Sequence, residues 1–588
     1  MTHRLGATLS EDATTFRVRA PRAAAVWLCT FGEADRETRD AMARDGDTWS
    51  VTLAGAGEGT RYGYRADGPA PHDPAKLLVD PYATELDRAF AYDPRLSQPG
   101  TDTAALVPKA VVRAPLAPVH ASRCFREGGL IYEVNVRAFT MRHPDLPPEQ
   151  RGTVGALAHP AVIAHLRKLH VSAVELMPIV AWIDERHLRP LGLTNAWGYN
   201  PVAARALDPR LVPGGIRELR ETVATLREHG IGTILDLVFN HTGESDVHGP
   251  TLSLRGLDND AYAHDAAGNL INDTGTGNTL DFGNPAVRAL TLATLRHFVA
   301  QGGVDGFRFD LAPVLARAPG FDPHAPIFAA IADDPLLADR VMIAEPWDIG
   351  PGGYNLGRFP KSWLEWNDRY RDDVRRFWRG DGRAGTLATR LSGSPDVFGE
   401  ERTRTVNFVA AHDGFTLADT VAFSHRHNEA NGENGRDGHA DEVSWNGGVE
   451  GATEDPIVAA YRARDLRGLL ATLFVSRGTI MLTAGDEFGR TQQGNNNAYA
   501  QDQLGWLDWA NRDTELEAFV AELASLRATH PGIGDPAIRH DAQWCRLDGA
   551  PMSVADWDCG EGFVLRLTLG DETLTVRVDR ADGVAARV

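Results

Sequence analysis

Lysine is almost missing from this chain. Lys76, Lys109, Lys168 and Lys361 are its full complement, and arginine supplies the rest of the 60 basic residues. That pattern reads as genome composition. Against them stand 80 acidic residues, for a net charge of −20. A phosphate-backbone partner needs clustered cations, so no nucleic acid is expected, and a polybasic membrane surface is not expected either. Cysteine is scarce too: Cys29, Cys124, Cys545 and Cys559 show no CxxC spacing, which argues against a disulfide framework or a zinc site. No run approaches the roughly 18 apolar residues of a membrane span. The opening MTHRLGATLS lacks an apolar h-region, which makes the cytoplasm the expected location. Missing motifs narrow the chemistry further. There is no GxGxxG or Walker loop for nucleotide phosphates, no GxSxG for a serine nucleophile, and no HExxH for zinc.

What the chain has in quantity is glycine (59) and proline (34), the residues of turns and long loops. A length of 588 residues can bury a substantial core and allows several domains. Residues 1–115 hold short alternating runs, TTFRVRA, AAVWLCT, WSVTLAG and TRYGYRADG, broken by Gly, Pro and Asp, which predict a small β-sandwich. Two more runs, FVLRLTL and ETLTVRV, predict a C-terminal antiparallel β-domain over 513–588.

Between them, over 116–512, short apolar runs alternate with helical segments. The runs are 131–139, 171–179, 232–240, 304–311, 341–348, 405–413 and 479–487. In IRELRETVATLREHG (216–230), Ile216, Leu219, Val223 and Leu226 share one helical face. Repeated strand–helix units imply a parallel sheet. An eighth strand, weakly signalled in KSWLEWNDRY (361–370), would close a (β/α)₈ TIM barrel. Such barrels carry their chemistry at the C-terminal ends of the strands, and polar residues collect there: Asp236, Asn240 and His241; Arg308 and Asp310; Glu345; His412 and Asp413; Asp486 and Glu487. Two aperiodic stretches, about 242–283 and 427–451, read as functional loops.

A single acid at a strand end is as readily a helix cap or an arginine partner. Several, converging on one rim, suit acid–base work, because neighbouring environments can push carboxyl pKa values apart. Glycoside cleavage uses such a pair: one carboxylate attacks or supports C1, the other protonates the leaving oxygen. Arg308 lies two residues before Asp310, on the same side of a strand, where it would keep that acid ionised. A histidine at a barrel rim more often binds substrate hydroxyls or a carboxylate than a metal. Aromatic residues gather near the loops, Trp197, Tyr199, Trp347 and Tyr354 among them, and sugar faces stack on such rings.

DLVFNH (236–241), GFRFD (306–310), AEPWD (344–348) and VAAHD (409–413) occur in this order. They resemble the four signature regions of the α-amylase superfamily, glycoside hydrolase family 13. The proline in AEPWD looks like the isoamylase branch. HNEANGENGRDG (427–438), SWNGGVEG (444–451) and GDEFGRTQQGNNNAYAQD (485–502) resemble the bacterial glycogen debranching enzymes within it. That resemblance implies a glycogen-binding-type sandwich before the barrel and a small β-domain after it. It implies Asp310 as nucleophile, Glu345 as general acid/base and Asp413 as the residue that stabilises the distorted sugar. Asp236, His241, Arg308 and His412 would hold that sugar, and Tyr199 would stack beneath it. The implied reaction is retaining hydrolysis of α-1,6 branch bonds in glycogen or phosphorylase limit dextrin, releasing short maltooligosaccharides, with no organic cofactor. The asparagine of DLVFNH is a calcium ligand in some α-amylases, but Asn240 lacks a recognisable set of partner carboxylates, so no metal is expected. The chain departs from its relatives at Ala196, often tyrosine, and in the aromatic-poor PVAARALDPRL. Two other readings stay open: an α-1,4-acting amylase or 4-α-glucanotransferase with the same carboxylates, and a non-catalytic glycogen-binding protein.

Overall fold

The computed structural model describes residues 4–317 and 319–587. Eight parallel strands close into a barrel: β1 (Leu130–Val134), β2 (Ala173–Leu176), β3 (Gly232–Leu237), β4 (Gly306–Phe309), β5 (Val341–Ala344), β6 (Leu364–Asn367), β7 (Thr405–Asn407) and β8 (Thr479–Thr483). β8 returns to β1 with Ile480 opposite Leu130. The weakly signalled eighth strand is β6. The expected barrel, sandwich and C-terminal sheet are all present.

The run 131–139 is not strand throughout. It stops at Val134, and Asn135 caps a short helix, Val136–Thr140, by accepting from the Ala138 N–H at 3.0 Å. The run 405–413 is strand only to Asn407, so His412 and Asp413 ride on the loop beyond. Helices cover most of the barrel and begin where the sequence caps them. Asn284 precedes Pro285–His297, Asp455 precedes Pro456–Phe474, and Asp513 precedes Thr514–Thr529; each cap accepts a backbone N–H of the first turn. Thr514–Thr529 packs on Pro456–Phe474 and serves as the eighth barrel helix, so the C-terminal sheet proper starts only at Gln543. The connection after β5, residues 345–363, is described throughout and runs without a helix. At Gly306 a Cβ would meet the Val341 carbonyl oxygen at 2.3 Å, so β4 approaches β5 only because this residue has none.

Alternate residues of a strand face the same way, and this orders the barrel interior. Ile131, Ala173, Ile234, Ile343, Leu364, Val406 and Met481 belong to one apolar floor. Two residues further along their strands come Glu133, Glu175, Asp236, Glu345, Trp366, Phe408 and Thr483. The register puts Glu133 beside Glu175, Thr483 beside Glu133, and Arg308 beside Asp236. A polar layer therefore lies directly on an apolar one, at the C-terminal end.

The N-terminal runs form two four-stranded antiparallel sheets, Gly6–Leu9, Ala13–Arg19, Thr48–Ala54 and Ala43–Asp45 against Glu37–Ala41, Ala25–Phe31, Arg61–Asp67 and Ala110–Val111. Their core does not end at the sandwich. Phe16, Leu28, Tyr64 and Leu78 share one cluster with Ala181, Ile183, Val202 and Leu257 of the barrel's own excursions. The backbone of Val79 donates to Leu252 at 2.7 Å, and Arg19 pairs with Asp258. At the other end, Gln543–Cys545, Gly562–Leu569, Glu572–Asp579 and Gly583–Arg587 make the small sheet. Among the described residues no helix is long and apolar enough to cross a membrane.

Candidate active site

At the strand ends opens a cleft of about 740 Å³, lined by Tyr199, His241, Asp310, Glu345, His412 and Asp413 among others. These are six of the eight site residues expected from sequence. The other two, Asp236 and Arg308, are buried behind the cleft lining, with 2% and 0% exposure. Both long loops contribute walls, Ser245 and Thr276 from the first, Asp437 and His439 from the second.

Arg308 organises the centre. Its Nη1 donates to both oxygens of Asp236 at 2.9 Å and to Asp310 Oδ1 at 3.1 Å, while Nη2 pairs with Glu345 Oε2 at 3.0 Å. The guanidinium carbon stands 4.4 Å from the centre of the Trp366 ring, which backs it from below. Asp310 also accepts from Asn240 Nδ2 at 2.8 Å. Both donors complement a carboxylate and fix its direction.

Glu345 is placed differently. Burial raises its carboxyl pKa; Arg308 opposes this, and the negative Asp310 and Asp413 add to it, so that it stands at about 8. Its Oε2 accepts the Leu311 N–H at 2.7 Å. Leu311 sits at φ 41°, ψ 52°, the left-handed region that side chains with a Cβ rarely adopt. That strained turn, directly after Asp310, aims a backbone donor at the second acid. Two carboxyl groups thus face one cleft, Asp310 accepting from Arg308 and Asn240, Glu345 with its pKa raised by burial.

Around them stand groups suited to sugar hydroxyls. Tyr199 donates to Asp236 and stacks on His412, with ring centres 4.9 Å apart and planes 21° apart. Burial raises the Asp236 pKa to about 6, against the pull of Arg308. Burial alone would lower the His412 pKa, but the charge and hydrogen bond of Glu133 push it up to about 9. His412 Nδ1 donates to Glu133 Oε1 at 2.7 Å, and Thr483 donates to the other oxygen at 2.8 Å. His241 faces Asn240 through Nδ1 and the Tyr199 carbonyl through Nε2, and burial holds its pKa down. Burial would raise the Asp413 pKa, yet a hydrogen bond from His439 and the charges of His412 and Arg371 bring it well below the usual carboxylate range.

Sequence reasoning passed over Glu133 and His439, and named Trp197 (whose ring meets His412 edge-on at 5.1 Å) and Trp366 only among the aromatics near the loops. Glu133 had a signal: it is a lone acid inside the apolar run LIYEV. So does Glu175 on β2, which is buried with both oxygens unpartnered, and whose carboxyl pKa burial raises well above the usual value. Asp486 and Glu487 sit at a strand end but turn away from the cleft. Glu487 binds the Tyr132 hydroxyl at 2.7 Å and His165 at 2.9 Å in the layer outside the barrel, and Asp486 accepts from the Leu417 N–H. Of the aromatics near the loops, Trp363 and Trp366 are core residues, while Trp197 and Tyr199 line the cleft. Among the described residues no group of three or more His, Cys, Asp or Glu side chains is arranged to hold a metal ion.

Residues 4–83 match the carbohydrate-binding module 48 family (isoamylase N-terminal domain). A glycogen debranching enzyme of Yersinia enterocolitica is 44% identical over 610 residues, an alignment covering 97% of this chain and 91% of that protein. One from Serratia proteamaculans is 43% identical over 618 residues, with the same coverage. In three dimensions the chain resembles the type I pullulanase of Bacillus subtilis complexed with maltose, with a TM-score of 0.77 and 22% identity, over 99% of this chain and 79% of that one.

Proposed function

The chain belongs to the glycogen debranching enzymes, and from that premise we propose that Asp310 is its nucleophile and Glu345 its general acid/base. The enzyme is a glycoside hydrolase that cleaves α-1,6 branch bonds of a branched α-glucan. Glu345 protonates the bridging oxygen while Asp310 attacks the anomeric carbon, forming a glycosyl-enzyme. Glu345, now ionised, then takes a proton from the water that releases the sugar with retained configuration. Asp413 and His412 bind hydroxyls of the distorted sugar, and Tyr199 supports its face. Asp236 and Arg308 work from below, through the residues they hold. The observation that carries this reading is the single guanidinium that joins Asp310 to Glu345 in the wall of one cleft. The reading places the enzyme in the cytoplasm with its polysaccharide.

Chain-length analysis of the products separates the possibilities. Phosphorylase-limit dextrin should yield short linear maltooligosaccharides while amylose stays intact. Shortened amylose would instead mean α-1,4 hydrolysis, and a redistributed ladder of chain lengths would mean transfer.

The pH profile tests the acid's identity. The reactive form of Glu345 is protonated, and its raised pKa extends that form upward. The alkaline limb of kcat/KM should therefore fall near pH 8, rather than near the ordinary glutamate value of about 4.3. A limb centred close to pH 5 would remove Glu345 from the role of acid.

A further inference from the structure

The loop 427–451 does more than form a wall. Its His439 reaches the cleft and donates from Nε2 to Asp413 Oδ2 at 3.2 Å. The backbone that delivers the imidazole is clamped: the His439 carbonyl accepts from Asn496 Nδ2 at 2.9 Å and Arg426 Nη1 at 3.1 Å. The loop around it is tied to residues 494–497. Asn428 Nδ2 donates to Asn496 at 2.8 Å, Asn431 Nδ2 donates to the Asn497 carbonyl at 2.8 Å, and Asn497 Nδ2 donates to Asp437 at 3.0 Å. The stretch carrying Asp413 joins the same frame, since the Gly414 N–H donates to the Asn496 carbonyl at 2.9 Å. Histidine and carboxylate are thus held against each other by one set of asparagines.

We propose that His439 is a positioning residue for Asp413, holding that carboxylate by hydrogen bond and charge so that it presents acceptors to the hydroxyls of the sugar at the cleavage point. This rests on the debranching reading above. The charged surroundings agree. His439 faces Asp413 and, further off, Glu442 on its own loop and Arg371 on the helix Asp368–Arg379; Glu442 is already paired to Arg375 at 3.1 Å. His412, next to Asp413 in the chain, is engaged with Glu133. The hydrogen bond to Asp413 raises the imidazole pKa.

Without the His439 hydrogen bond the Asp413 pKa moves up toward the ordinary carboxylate range, so the acid limb of the rate profile moves up with it. The experiment measures kcat and KM on phosphorylase-limit dextrin across pH 4–10 for the wild type, His439→Ala and His439→Gln, with the melting temperature of each. His439→Ala should lose about tenfold in kcat/KM at the wild-type optimum, the size of one charge-assisted hydrogen bond. His439→Gln, which keeps an N–H donor, should recover much of that loss. In both variants the acid limb should shift to higher pH, further in His439→Ala than in His439→Gln. Wild-type kinetics and profile in His439→Ala would overturn the proposal. So would equal losses in both variants with an unmoved acid limb, which would make His439 a packing residue of the loop. Failure of the wild type to release oligosaccharides would overturn the debranching reading itself, before any variant is compared.

Discussion

Asp310→Asn and Glu345→Gln should each lower kcat on phosphorylase-limit dextrin by about 10³-fold or more, the scale of removing a nucleophile or a general acid. Both changes preserve shape, and both side chains sit in prepared niches, so the variants should melt close to the wild type. The two losses should differ in kind. A glucan with an aryl leaving group of low pKa departs without a proton. On such a substrate Glu345→Gln should still form the glycosyl-enzyme, losing far less in that step. Asp310→Asn should lose as much as on the natural bond, since no leaving group replaces a nucleophile. Near-wild-type turnover of limit dextrin by either variant would remove that residue from the chemistry, and identical behaviour on the aryl substrate would show the two roles to be misassigned.

Arg308→Met should be the most destabilising single change in the site. The guanidinium is fully buried and contacts Asp236, Asp310 and Glu345. Breaking one buried ion pair by removing a partner costs about 3–5 kcal/mol, and here three acids lose a common counter-charge. The sign with pH follows. Arg308 already holds down Asp236 and Glu345, which burial has raised to about 6 and about 8. Without it both rise further, so the native state is penalised where these acids would otherwise ionise, above about pH 6, and the penalty fades as the pH falls. Denaturant unfolding should show a larger deficit at pH 7 than at pH 5. Arg308→Lys should return part of the stability and little of the activity, because one ammonium cannot span three carboxylates in a fixed fork. An Arg308→Met protein as stable as the wild type at pH 7 would mean that the acids are neutralised by other means.

The barrel and the two acids that face each other in the cleft were legible in the sequence because both depend on short-range pattern. Asp310 and Glu345 each end an apolar run, and a charge there stands out. β6 was faint for a physical reason. Its outward residues are Glu365 and Asn367, buried but polar, with Glu365 paired to Arg404 at 2.7 Å and Asn367 bonded to Ser394 and Thr405 at 3.0 Å. A strand that satisfies one face by hydrogen bonds does not read as a hydrophobic run. The support of His412 by Glu133 was hidden because it joins opposite ends of the barrel sequence and exists only once β8 closes on β1. His439 lies in an aperiodic loop, where nothing short of the folded asparagine frame says which way a side chain turns.

The core shared between the sandwich and the barrel bears on how such proteins diversify. A binding module can be passed between enzymes as a cassette only if there is a seam to cut along. Here Ile183 and Val202, flanking the segment that carries Trp197 and Tyr199, are packed among residues of the sandwich. The wall of the cleft therefore has its foundations in another domain. Recombination that exchanged one half would leave the other with an unfilled interior. A change in cleft shape can therefore begin with a substitution in the sandwich, away from the bond being cut.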